Sequence, residues 1–405
     1  MTGLQAALAR EHYTDADTWR REQHQVWRRS WVCVGRADHL GPAAVAAAGD
    51  PVVGSVTAVE VAGESVLVTR DGRGLHAFAN VCRHRGAQLV DQAPGEVVTP
   101  CAAQVLRCRY HSWTYDLAGD LLRAPYTDGI DGFDVAGFGL RQLAVQTWGG
   151  YAFVRLDGGE GGGKGDGSGR GDGSGRGGDT GPSLLEELGD VATRTLRYPL
   201  EHLVSARRIV YDVAANWKVI AENYNECYHC GPVHPELTRL VPAFGHGGTG
   251  TDGAGLDWEA GVPHRDGAWT FSFSGTSPRP PFADLDDDER VRHKGELVYP
   301  NLLLSLAAEH AASFVLQPLA VDRTRVVFDV LVEPDQVHLD VEDCAGFWDL
   351  VNRQDWGICE SVQRGMSSSF YTQGWYAPME DAGLDIRRWL LPRLTGDAEP
   401  GAGPA

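Results

Sequence analysis

The 405-residue chain is 42% hydrophobic and 22% charged, the balance of an ordinary globular protein with material for two or three domains. A formal net charge of -19 repels nucleic acid and anionic membranes alike, so neither is expected as a partner. No apolar run reaches the ~20 residues of a membrane span, and no apolar segment follows Arg20-Arg21 or Arg28-Arg29 as an export signal requires, so the reading is cytoplasmic.

Residues 1 to about 30 alternate charged and apolar positions, with Leu4, Leu8, Tyr13, Trp19 and Trp27 as anchors, and read as one or two amphipathic helices. From Val52 the pattern changes to short β-rich runs: SVTAVEVAG, SVLVTRD, LHAFANV, VLRCRYHSWTYDL and LAVQTWGGYAFVRL. Gly and Asp punctuate them, as in a small antiparallel sheet domain. Cys82 and His84 form C-x-H there, and Cys108 and His111 form C-x-x-H, each pair at a loop between strands. Two thiolates and two imidazoles are the ligand set of a Rieske [2Fe–2S] centre. Zinc is the competing metal, but its ligands usually run as a Cys pair and then a His pair, so mixed pairs on two loops fit the cluster better. Residues 158–181 repeat DGSGRG in tandem; so much glycine cannot pack a core, and the stretch reads as a disordered insertion without catalytic role.

PSLLEELGDVATR then reads as helix and RRIVYDVAA as a strand leading into Asn216–His234, NWKVIAENYNECYHCGPVH. This stretch packs Glu226, His229 and His234 into nine residues behind a helical run. Two histidines five apart do not share a helical face, but Gly231 and Pro232 lie between them, so the helix should end there and swing His234 back toward His229. With a carboxylate from elsewhere they would form the facial triad of a non-haem Fe(II) centre; the plainer alternative is two solvent-facing histidines. Glu226, one helical turn before His229, is placed to accept a hydrogen bond from an imidazole N–H. Cys227 and Cys230 make a C-x-x-C that reads as packing, and Cys33, Cys344 and Cys359 read as small core residues. The runs DWEAG, AWTFSFSG, ELVYPNLLLSLA, SFVLQPL and TRVVFDVLVEP read as antiparallel strands, and Val341 to about Ser369 as one long helix. Strands curling round a long helix make an α+β helix-grip fold. The acidic run at 284–289 reads as a solvated bulge.

Together these motifs resemble the catalytic subunits of Rieske non-haem iron oxygenases, from about Trp31 to about Leu391, and ENYNECYHC is most similar to the choline, carnitine and glycine-betaine monooxygenases. The resemblance implies N-terminal helices (1–44) docking on the catalytic domain, an antiparallel β Rieske domain (45–157), the insertion (158–181), and a C-terminal helix-grip, START-like catalytic domain (182–405). NRQDWGICESVQRG is similar to the family's last iron motif and puts the third ligand at Asp355. Glu360, five residues on, points well over a right angle away. The resemblance further implies that Glu226, with Asn223 in support, bridges the iron ligand to a Rieske histidine of the neighbouring subunit in a homotrimer. Similar chains have fewer residues between the first histidine and the second cysteine. Cys101 would shorten the gap, but Gln104 stands where its histidine should be, so Cys108 is the ligand and APGEVVTPCAAQ reads as a longer hairpin. Arg109 and Ser112 stand where the family more often has Pro and Gly.

The chemistry implied is reductive O2 activation at a mononuclear Fe(II). With no dinucleotide fingerprint in a strand–turn–helix setting, electrons from NAD(P)H must arrive through a separate reductase or ferredoxin. Trp258, Trp269, Phe271, Phe273, Tyr299 and Trp356 are candidate pocket residues, with Glu309 and His310 as polar ones. Aromatic faces suit an ammonium cation and flat rings equally. Monooxygenation of a small amine or quaternary ammonium compound is the leading reading. Oxidation of an aromatic or heteroaromatic amine, including N-oxidation, is the second, and an electron-transfer Rieske protein the third.

Overall fold

The computed structural model describes residues 3–41, 54–158, 181–247 and 257–395. The expected boundary at 44/45 and nearly all of the expected insertion at 158–181 lie outside the described residues. Two compact units result: Gln23–Leu184, and residues up to Glu22 joined to those from Leu185 onward.

The N-terminal segment is only partly helical. Strand β1 (Gln5–Ala9) precedes helices α1 (Glu11–Thr14) and α2 (Ala16–Gln25). The strand was not legible as such because its partner lies some 365 residues away in sequence. The buried anchors are Leu8, Tyr13 and Trp27, whereas Leu4 is exposed.

The Gln23–Leu184 unit is built on strands β2 (Val32–Arg36), β3 (Gly54–Val61), β4 (Glu64–Asp71), β5 (Gly74–Ala79), β6 (Cys101–Ala103), β7 (Leu106–Arg107), β8 (Thr114–Tyr115), β9 (Leu121–Arg123), β10 (Gln142–Trp148) and β11 (Tyr151–Arg155). Seven form one antiparallel sheet in the order β2-β11-β10-β5-β4-β3-β6, and β7-β8-β9 form a second. The expected hairpin around APGEVVTPCAAQ does not close on itself: Cys101 pairs with Val56, so the segment finishes as an edge strand of the large sheet. An apolar core including Leu67, Phe78, Leu106 and Trp113 ends on Cys82 and Cys108.

In the other unit, short helices α3 (Leu184–Leu188) and α4 (Val191–Arg194) precede β12 (Val204–Val213), α5 (Trp217–Tyr224), α6 (Cys230–Val233) and α7 (Pro235–Leu240). Then come β13 (Val262–Pro263), β14 (Arg292–Val298), β15 (Leu302–Leu306), β16 (Ala311–Ala320), β17 (Arg323–Val332), the long α8 (Glu342–Met366), β18 (Gln373–Tyr376) and α9 (Leu384–Thr395). The six-stranded antiparallel sheet runs β12-β17-β16-β15-β14-β13, and β18 pairs with β1. Helix α8 buries Cys344, Phe347, Trp348, Val351, Asn352, Cys359, Gln363 and Met366, a stripe at three- and four-residue spacing that a helix must cover. The sheet covers it: Trp348 meets Phe314 and Phe328, and Tyr211 meets Trp356.

Two expected strands are absent. DWEAG is a turn, and AWTFSFSG runs as bends. Ser272 Oγ and Ser274 Oγ both donate to Thr276 O, and Gly275, at φ +79°, closes the turn, so local side-chain bonds override β propensity. The acidic run is held by cations: Glu289 meets Lys294 and Arg197, and Asp288 meets Arg292.

Candidate functional site

Asn216 starts α5 by accepting the Lys218 N–H on its side-chain oxygen at 3.0 Å. The helix stops at Tyr224, seven residues short of Gly231, so the expected helix through His229 is broken earlier. Glu226 breaks it. Its Oε2 accepts backbone N–H bonds from His229, at 3.2 Å, and from Tyr228, and its Oε1 accepts from His229 Nδ1 at 2.5 Å. A carboxylate that satisfies two backbone donors and one imidazole stabilises a turn at the expense of another helical turn. After α6, Pro235 opens α7 and leaves His234 in the junction facing His229, their rings 5.2 Å apart.

Asp355, on α8, completes the group. Its Oδ1 lies 2.9 Å from His234 Nε2 and 3.3 Å from His229 Nε2, and one donor atom from each residue lies within 4.8 Å of the others. The other ring nitrogens are spoken for. His234 Nδ1 donates to Gln354 Oε1 at 2.7 Å, and Gln354 Nε2 donates to Glu236 Oε2 at 3.2 Å. Both imidazoles thereby present Nε2 inward, the arrangement in which outer partners orient metal ligands. Burial works against ionising Asp355, yet hydrogen bonds from the two histidines outweigh it and hold the carboxyl below its ordinary range. Burial likewise opposes charge on His229, but Asp355, Cys230 and Glu226 hold its pKa up to about 12. A field that strongly favours a proton there favours a metal cation, and two neutral nitrogens with one carboxylate suit Fe(II). Asn223 Nδ2 lies 3.3 Å from His229 Nε2. The other carboxylates of α8 turn elsewhere: Glu342 to Arg207, Asp343 to Ser274, Asp349 to Tyr211, Glu360 to the Ala214 N–H.

In the Gln23–Leu184 unit, two ligand loops mirror one another. Gly86 N donates to Cys82 O and Ser112 N to Cys108 O, both at 3.0 Å. Cys82 and Cys108 are buried, while His84 and His111 are exposed with rings 4.6 Å apart. Trp113 stacks on His84 at 4.9 Å, and Tyr115 Oη lies 3.4 Å from Cys82 Sγ. Burial, with Cys108 alongside, raises the Cys82 thiol, so a thiolate pair there requires cationic iron against it. The set of two buried sulfurs and two exposed imidazoles fits a [2Fe–2S] cluster with the histidines on one iron. Cys101 sits exposed on β6, whereas Cys82 and Cys108 are buried.

A cavity of about 400 Å³ opens from His229, His234 and Asp355. Of the expected pocket residues, Trp258, Phe271, Tyr299 and Trp356 line it, and Trp269, Phe273 and Glu309 do not. Phe273 is 55% exposed. Glu309, expected as a polar pocket residue, lies outside the cavity lining: it is fully buried and accepts from Thr270 Oγ1 at 2.6 Å. It also lies 3.0 Å from His310 Nδ1. His310 in turn accepts the Trp348 indole N–H at 3.0 Å, so the pair supports a cavity wall from behind. Trp348, Asn352 and His293 also line the cavity and were missed. The first two were available from α8 periodicity once Asp355 was chosen. His293 shows in sequence only as a polar residue in the inward register of Gly295 and Leu297.

Residues 30–138 match the Rieske [2Fe-2S] domain family, and residues 200–396 match the catalytic domain of the ring hydroxylating alpha subunit. The glycine betaine monooxygenase oxygenase subunit of Chromohalobacter salexigens is 27% identical over 97% of this chain and 87% of its own length. The carnitine monooxygenase oxygenase subunit of Escherichia coli K12 is 27% identical over 89% and 84%. The crystal structure of the quaternary ammonium Rieske monooxygenase CntA with L-carnitine superposes with a TM-score of 0.66 at 22% identity, covering 96% of each chain. Naphthalene 1,2-dioxygenase from Rhodococcus sp. superposes at 0.68 with 17% identity over 96% and 94%. The chain belongs to the Rieske non-haem iron oxygenases, as a catalytic subunit. It is an oxidoreductase whose two domains carry a Rieske cluster and a mononuclear iron, and oxygenases of this family take electrons from a reductase and act on small substrates. Among the described residues no helix is long and apolar enough to cross a membrane.

Proposed function

We propose that this chain monooxygenates a small amine or quaternary ammonium compound, with electrons from NAD(P)H delivered by a separate reductase or ferredoxin. The observation that carries this reading is the cavity wall. Among the described residues, six carboxylates (Asp190, Glu226, Glu259, Glu296, Asp355 and Asp385) line it against one guanidinium, Arg194, amid aromatic faces. Arg194 is itself held by Glu296, through bonds of 2.9 and 2.8 Å. Acidic charge with aromatic rings attracts an ammonium group.

In this reading His229, His234 and Asp355 hold the iron, and Cys82, His84, Cys108 and His111 hold the cluster. When bound, the cluster supplies single electrons and the iron supplies O2 activation. Glu226 and Gln354 keep the His229 and His234 rings turned with Nε2 inward. The aromatic walls exclude water and orient the substrate. The Glu226 carboxylate retains acceptor capacity beyond its three bonds. That capacity lets it bridge to the partner subunit's His84 or His111 in a homotrimer.

The test is anaerobically reconstituted protein with a reductase and NADH against betaines, carnitine, choline and arylamines, scored by substrate consumption and 18O incorporation. Turnover of ammonium substrates with one labelled oxygen is expected. Exclusive turnover of arylamines would replace this reading with the second one. Glu226→Gln, which keeps an oxygen for the His229 Nδ1–H and loses the carboxylate's spare acceptor capacity, should retain both metals while coupled turnover collapses.

A further inference from the structure

His293 stands out in the cavity wall. It belongs to β14, in register with Val262 of β13, and is 8% exposed. Its ring lies 4.1 Å from that of Phe271 and 6.2 Å from that of Phe244, with Trp348 at 6.4 Å. Its Nδ1 is shut away without a hydrogen-bond partner, and among the described residues nothing bonds its Nε2 either. A buried polar side chain in an aromatic setting with neither nitrogen engaged is costly unless something else engages it.

The charge state and tautomer follow. Burial holds the His293 pKa well below the ordinary imidazole range, so the ring is neutral. A neutral imidazole carries one N–H and one lone pair. Among the described residues Nδ1 has no acceptor within reach, and a buried orphan N–H is rarer than a buried orphan acceptor. The hydrogen therefore belongs on Nε2, the nitrogen not sealed in the wall.

The position is set by α8. Trp348, Asn352 and Asp355 lie on one face, and seven residues of helix place Trp348 about 10 Å along the axis from Asp355. His293, whose ring lies 6.4 Å from that of Trp348, is thereby placed toward the Trp348 end of the cavity.

We propose that the His293 Nε2–H is a specificity-determining donor to an acceptor oxygen on the substrate, at the end opposite the carbon being oxidised. The substrate class is thus narrowed to ammonium compounds that carry a carboxylate or hydroxyl several atoms from nitrogen. This rests on the ammonium reading above, and the test separates the two.

Anaerobic calorimetric titration of the iron-loaded holoenzyme would compare γ-butyrobetaine and (4-hydroxybutyl)trimethylammonium with butyltrimethylammonium, which lacks the oxygen. Wild-type protein should prefer an oxygen-bearing probe by about tenfold or more, and which one it prefers identifies the oxygen. His293→Phe, which keeps the ring and loses the donor, should abolish that preference while leaving butyltrimethylammonium within about twofold. His293→Gln, which keeps a donor, should restore most of it. Absence of a preference in the wild type overturns the proposal whatever the variants do, as does an equal effect of His293→Phe on all probes. If the wild type binds no ammonium probe but binds arylamines, the ammonium reading fails, and 4-aminobenzoate against aniline decides the role of His293 by the same criterion. Binding of neither set overturns both.

Discussion

Lys218 Nζ lies 2.7 Å from Glu22 Oε2, and neither side chain has any exposed surface. The pair joins α2 to α5, the helix that leads into the ligand loop. Trp217 Nε1 also reaches Glu22 Oε2, at 3.4 Å. Burial alone would raise the Glu22 carboxyl, but Lys218 outweighs it and holds it below the usual range. Removing one partner leaves a buried charge uncompensated, at a cost of about 3–5 kcal/mol. Lys218→Met should therefore destabilise by that order in denaturant unfolding, and Glu22→Gln/Lys218→Met together should recover most of the loss. A double variant no more stable than the worse single one would contradict this.

Glu222, on the same helix, gives stability a pH dependence. Burial raises its carboxyl, Tyr13 Oη donates to it at 2.5 Å, Lys218 pulls the other way and Glu380 adds repulsion, leaving it at about 7. The folded value lies above the unfolded one, near 4.5, so the folded state binds more protons between them. The group's contribution is full below about pH 4.5 and is lost as pH rises through about 7, a swing of up to about 3 kcal/mol. Glu222→Gln should accordingly gain stability relative to the parent at pH 8 and not at pH 4. Parallel stability curves from pH 4 to 8 would refute the assignment.

Ser112 adopts φ +60°, while Gly86 takes the equivalent place in the other ligand loop at φ +77°. A side chain in the left-handed region is strained, and among the described residues its compensation is an exposed bond of 2.8 Å from Arg107 Nη2 to Ser112 Oγ. Ser112→Gly should raise the stability of this unit by about 0.5–1 kcal/mol with the cluster retained. Gly86→Ala should lower it, although a Cβ at Gly86 would meet nothing within 4 Å. Thermal melts of the cluster's visible absorption read both changes.

Asp355→Ala should release the mononuclear iron without touching the cluster. Iron per chain would fall from about three to about two. The rhombic resonance of the reduced cluster should persist. Loss of that resonance, or iron unchanged at about three, would show that Asp355 does not complete the site.

Much of the candidate site was readable because metal chemistry restricts residue types: C-x-H, C-x-x-H and the His229/His234 pair have few other uses. The strands of the Gln23–Leu184 unit were readable from alternation. What stayed hidden depends on partners distant in sequence. Gln5–Ala9 looks helical until it pairs with Gln373–Tyr376. Glu226 looks like a helical residue until its carboxylate captures the Tyr228 and His229 amides. Glu309 looks like a pocket acid, yet burial with Thr270, Arg279 and His310 places it behind the wall.

Because α8 carries both Asp355 and Trp348, the proposed anchor of the reaction and the far wall of the chamber ride on one helical rod. Any shift of that rod to admit a bulkier guest would drag the anchor with it. Divergence toward new guests therefore runs through the opposite bank, β14 and the bends near Phe271, where exchanges at single positions reshape the chamber and leave the chemistry in place.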